Sequence, residues 1–134
     1  MGLRMINMTP DEQITFTVRI MEILDSWGMT SEEIISVIAL PEKTPTRALR
    51  RYRENTAFPV SEELEERISH IIGITDALRT SYPHNPNMGK MWIRQRSKKL
   101  NNQIPLQIIV ENGLDGIVEI RKHLDCSYDW HKNP

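Results

Sequence analysis

Two helix-capping signatures constrain this chain more than any other feature. Thr9-Pro10-Asp11-Glu12 sets a hydroxyl at the N-cap and a proline at the first helical position. Glu12 then stands where a carboxylate reaches back to the cap amide. Thr30-Ser31-Glu32-Glu33 repeats the box. The first signature predicts a helix to about Trp27, stopped by Gly28, and the second a short helix ending at Leu40 before Pro41. Thr44-Pro45 opens a third helix to Asn55, with Thr44 as its cap. Pro59 and Ser61 introduce a longer one to about Ser81, with an apolar stripe of Leu64, Ile68, Ile71, Ile72 and Leu78. Tyr82 to Gly89, with Pro83 and Pro86, reads as a subdomain boundary. Beyond it the spacing predicts a helix over Met88–Arg96, a turn at Asn101-Asn102, and a short helix opened by Pro105 and covering Leu106–Glu111. Asn112-Gly113 stops that helix before a last one over Leu114–Leu124. No stretch alternates with period 2, so the expected fold is all-α, in two domains covering 9–82 and 83–134.

With 134 residues, the chain has room for one domain or two small helical ones, and 39% hydrophobic with 26% charged residues excludes a disordered chain. A single cysteine, Cys126, excludes an intrachain disulfide framework and points to a reducing compartment. The longest unbroken apolar run, Val37–Leu40, is far too short for a bilayer span, and Met1–Met8 lacks a secretory apolar core. No membrane association and a cytoplasmic location are expected. The first helix is apolar over most of its circumference. Ile14, Val18 and Met21 lie on one side and Phe16, Ile20, Ile23, Leu24 and Trp27 on the other, with Thr15, Arg19, Glu22 and Ser26 as a polar strip. Such a helix is either central to its domain or part of a dimer interface.

The formal charge of -1, from 17 Lys+Arg and 18 Asp+Glu, excludes a uniformly basic nucleic-acid coat. The charges are nonetheless segregated. Lys43, Arg47, Arg50, Arg51 and Arg53 form one acid-free segment, and Lys90, Arg94, Arg96, Lys98 and Lys99 form another. Outside these ten residues, 7 basic and 18 acidic residues leave a net of -11. Two confined patches can engage phosphate where the whole molecule cannot, although solvated helix faces would look the same.

On the third predicted helix, Ala48, Leu49 and Tyr52 share one face and Arg47, Arg50, Arg51 and Glu54 the other. A short helix, a tight turn at Pro41 and a helix with an arginine outer face follow the order of a helix-turn-helix, whose second helix enters the major groove. Arginines there pair with guanine edges or phosphates, and a helix N-terminus at Thr44 and Thr46 would offer N–H groups to a phosphate. Thr44, Thr46, Arg47, Arg50, Arg51 and Arg53 are therefore the candidate DNA-contacting residues.

Thr46-Arg47-Ala48-Leu49-Arg50-Arg51, followed by a helix with Ser61-Glu62-Glu63 and Arg67, resembles the helix-turn-helix half of the Xre/MbcA/ParS antitoxins. The C-terminal half is similar to that family's toxin-binding domain. It carries Trp92, Asn101, Ile104-Pro105-Leu106 through Ile109, Glu111-Asn112-Gly113 and the closing stretch Val118–Leu124. The resemblance spans roughly residues 12–130. It implies an Xre-like DNA-binding bundle followed by a small helical toxin-binding domain, dimeric in function. The protein would be the antitoxin of a type II toxin–antitoxin pair, whose usual partner is a RES-domain toxin that consumes NAD. The antitoxin blocks the toxin's active site, assembles with it as a hetero-oligomer, and represses its own operon through operator DNA. On this resemblance Trp92, Asn101, Pro105, Leu106, Gly113, Tyr128 and Trp130 would shape or contact the toxin-binding surface. Asp129 stands where the family commonly has a glycine after the tyrosine. A helix-turn-helix regulator without a toxin is the alternative, and a helical adaptor with two solubilising basic segments is a third reading.

Signs of other chemistry are weak. His123, Cys126 and His131 match no closed structural zinc spacing, so no metal and no cofactor is expected. The run Glu62, Glu63, Glu65 and Glu66 suits the positive end of a helix better than a catalytic dyad. No nucleophile elbow, phosphate loop or zincin motif occurs, and the chain is not expected to be an enzyme.

Overall fold

The computed structural model describes residues 3–132, and the side chains of residues 3–126. Among these residues there are seven α-helices and no strand: α1 (Pro10–Ser26), α2 (Ser31–Val37), α3 (Ala48–Glu54), α4 (Glu62–Ser81), α5 (Pro86–Arg94), α6 (Pro105–Asn112) and α7 (Leu114–Lys132). The fold is all-α. The chain divides into two compact units, Met1–Ser69 and His70–Pro134, so the division falls inside α4. The stretch expected to separate two domains, 82–89, holds the short connection from α4 to α5 and the first turn of α5 itself, within the second unit.

In the first unit both capping boxes form in full. Thr9 Oγ1 accepts from the Glu12 amide at 3.2 Å while Glu12 Oε1 accepts from the Thr9 amide at 2.8 Å. Thr30 and Glu33 do the same at 3.2 and 2.8 Å. Both helices also end alike, with the chain turning through a left-handed residue. After α1, Gly28 (φ 80) takes that position and Met29 N–H donates to Leu24 O at 3.4 Å. After α2, Ala39 (φ 61) takes it and Leu40 N–H donates to Ile35 O at 3.0 Å. This turn ends α2 at Val37, earlier than the Leu40 that Pro41 suggests. The Arg67 guanidinium on α4 donates to the exposed end of α2 through Val37 O, at 2.9 Å.

Ile20, Met21 and Leu24 of α1, with Trp27, are buried alongside Ile34, Val37, Ile38, Leu49, Phe58, Leu64 and Ile68. Ile14, Phe16, Val18 and Ile23 are half-buried, so α1 is a central helix of this unit. Its closest helix pairing is with α3. Two buried polar side chains tie distant segments together. Thr17 Oγ1 accepts from the Phe58 amide at 3.0 Å, and Glu65 Oε1 accepts from the Met5 amide at 3.1 Å. Glu65, one of the acidic residues in the first turn of α4, is only 4% exposed.

In the second unit α6 packs on α7 and on α5. Pro105 is the first residue of α6 and is buried. Gly113 ends the helix at φ 58, ψ -128, a conformation open to glycine alone. At Gly116 the backbones of α6 and α7 touch: a Cβ there would collide with the carbonyl of Ile108 and meet Ile109 Cα at 3.0 Å. Ile74, Ile93, Leu100, Ile108, Ile109, Ile117, Ile120 and Leu124 fill the core. Arg121 of α7 lies across Gly73 of α4, where any side chain would displace it, and donates through Nη1 to His70 Nδ1 at 3.0 Å. An arginine has no lone pair to give, so His70 accepts at Nδ1 and is the Nε2–H tautomer.

Candidate functional site

The arginine helix forms, but later and shorter than its sequence suggests. α3 begins at Ala48 with Arg47 at the N-cap, whose side chain makes no cap bond, and it spans seven residues. Thr44 does not cap it. Residues 45–50 instead make a tight turn in which the amides of Ala48, Leu49 and Arg50 donate to Pro45, Thr46 and Arg47 carbonyls at 2.9, 3.1 and 3.3 Å. Those three N–H groups are already committed and are not open to a phosphate at this turn. The connection from α2, residues 38–47, is likewise longer than the tight turn of a minimal helix-turn-helix.

Ala48 and Leu49 are buried and Tyr52 is half-buried, its ring 5.1 Å from that of Phe58. This anchoring turns Arg47, Arg50 and Arg51 to solvent. Arg50 reaches Glu54 at 3.4 Å in a pair with side chains 84% and 58% exposed, which costs little to release. Arg53 differs from the rest. It grips Asp25 of α1 with Nε and Nη2 at 2.9 and 3.0 Å, a two-pronged contact that raises its pKa further above the ordinary value. It therefore fastens α3 to α1. Thr46 is exposed and Thr44 half-buried. Nearby, a groove of about 570 Å³ beside the end of α2 is lined by Glu32, Glu42, Glu63 and Arg67, and its carboxylates disfavour phosphate.

The C-terminal candidates separate into scaffold and surface. Pro105 and Gly113 start and stop α6, and Asn101 (φ 57), with Asn102 (φ 64), turns the chain in the left-handed region that asparagine tolerates. Leu106 is half-buried. Trp92 is half-buried and stacks on His123 with ring centroids 6.0 Å apart and planes 15° from parallel. Burial first, and then the Lys99 charge, hold the His123 pKa below 6.5, with Glu119 opposing. Met88 and Met91, neither of them among the expected contact residues, are 40% and 48% exposed on α5 beside Trp92. Their signal was positional: Gly89 and Ile93 take the buried face of the helix, which leaves both methionines outside. α7 continues to Lys132, well past Leu124, but the side chains of Tyr128, Trp130 and His131 lie outside those described. Among the described residues no three His, Cys, Asp or Glu groups converge as a metal site, and no helix is long and apolar enough to cross a membrane.

No family model matches the chain, and no curated protein matches it.

Proposed function

We propose that this chain is the antitoxin of a type II toxin–antitoxin pair. Its first unit contacts operator DNA through Arg47, Arg50 and Arg51, and its second unit blocks the active site of a RES-domain toxin that consumes NAD. The protein works in the cytoplasm as a homodimer that assembles with its toxin. The observation carrying this reading is the pairing, in one helical chain, of an arginine face on α3 with a separate compact unit that exposes Met88 and Met91 beside Trp92. Apolar groups standing in water on one helix suit a protein partner, and exposed arginines on another suit DNA. The resemblance of residues 46–51 and of the Trp92, Asn101, Pro105-Leu106 and Gly113 pattern to the Xre/MbcA/ParS antitoxins supplies the partner's class.

Co-expression with the product of the neighbouring reading frame tests the proposal. A RES-domain toxin is expected to co-purify with the chain, and cellular NAD is expected to recover when both are made. Met91→Glu should weaken that capture. If neither co-purification nor NAD recovery occurs with a RES-domain neighbour, the antitoxin reading fails. Operator binding that survives that failure would leave a transcriptional regulator without a toxin.

A further inference from the structure

The division into units redistributes the charge. Met1–Ser69 holds eight Lys and Arg against twelve Asp and Glu, a net of -4, whereas His70–Pro134 holds nine against six, a net of +3. The unit with the arginine helix is thus the acidic one. All of the second unit's excess lies in one acid-free segment, where Lys90, Arg94, Arg96, Lys98 and Lys99 are all exposed. None of the five takes part in an ion pair among the described residues, whereas on α3 both Arg50 and Arg53 do.

This segment is also held in place. Lys90 and Arg94 are one turn apart on α5, about 40° from each other around the helix. After α5 the chain closes on itself. Ser97 N–H donates to Gln103 O at 3.0 Å, Asn102 N–H donates to Ser97 O at 2.9 Å, and Leu100 is buried beneath. Arg96 Nη1 donates to Asn102 O at 3.0 Å across the same turn. A pinned backbone presents Lys98 and Lys99 with little ordering left to lose on binding.

We propose that residues 90–99 of the second unit form a separate contact surface for the phosphate backbone of duplex DNA, independent of α3. Three of the five cations are lysines, a residue depleted at protein–protein interfaces and well suited to phosphate as a point charge. The surface supplies affinity without reading bases, which compensates for the acidic unit that carries α3. This goes beyond the antitoxin reading, which gives the second unit to the toxin alone, and it depends on neither the toxin nor the operator.

The test measures binding of the full chain to a labelled duplex of unrelated sequence over a range of salt. Lys98→Glu with Lys99→Glu should lower affinity at least tenfold. The alanine pair should flatten the slope of log K against log salt by about 1.8, at roughly 0.9 per lost phosphate contact. The triple variant Arg47→Ala, Arg50→Ala, Arg51→Ala should keep the larger part of this unspecific binding. Unchanged affinity and slope in the lysine variants, with unaltered circular dichroism, would overturn the proposal. So would polyglutamate competing as well as DNA at equal charge, since the patch would then belong to an acidic protein. A triple variant that loses the larger part of this unspecific binding would also overturn the proposal, since α3 would then carry the contact.

Discussion

Single residues here act through backbone geometry as much as through chemistry. Gly116 is the clearest case, because the Ile108 carbonyl occupies the space of any side chain. Gly116→Ala must push α6 from α7, and a loss of about 2–3 kcal/mol in chemical denaturation is expected, as for an overpacked core. Ala39 is the converse. It holds φ 61, where α1's corresponding turn has Gly28, and an L side chain there is strained. Ala39→Gly should therefore raise stability by about 0.5–1 kcal/mol, read in the same denaturation experiment. His123 links a residue to pH. Its pKa is depressed in the fold, so the unfolded chain takes up a proton first as pH falls below about 6.5. Stability should be highest above that value and decline as pH drops through the depressed pKa, and His123→Gln should flatten that decline. An identical acid profile in the variant would place the dependence elsewhere.

At the scale of an element, α3 shows how one helix divides its arginines between structure and solvent. Arg53 lies on the side facing α1 and holds Asp25, whereas Arg47, Arg50 and Arg51 point outward. Arg53→Ala is expected to reduce stability by about 0.5–1 kcal/mol, a loss shared with Asp25→Ala in a double-mutant cycle. Arg50→Ala should leave stability unchanged and cost about 1–3 kcal/mol of operator binding if its guanidinium reads a base. The opposite pattern would exchange the roles assigned to the two arginines. The delayed start of α3 follows from the same packing. Ala48 and Leu49 are the first residues able to bury, and the preceding turn satisfies their amides before any ligand can.

For the whole molecule, the near-zero charge is the sum of an acidic unit and a basic one. The proposed functions are separable on this basis. Arg47→Ala with Arg51→Ala should abolish repression of the operon and leave toxin neutralisation intact in a growth assay, because the changed side chains belong to the first unit. Loss of both activities in a folded variant would argue against assigning them to different units.

Local chemistry was legible from residues alone. The caps at Thr9 and Thr30, the stop at Gly28, the start of α4 after Ser61, Pro105 at the head of α6 and Gly113 at its end are interactions over a few residues, and their signals lie side by side in the chain. The outward arginines of α3 were legible for the same reason, because helical spacing turns them away from Ala48 and Leu49. What only the tertiary structure decided are the pairings of residues far apart: Asp25 with Arg53, Met5 with Glu65, Val37 with Arg67, and Ile108 against Gly116. An arginine or glutamate is suited equally to water and to a buried partner. Which it meets depends on how helices pack, and no spacing within one helix carries that information.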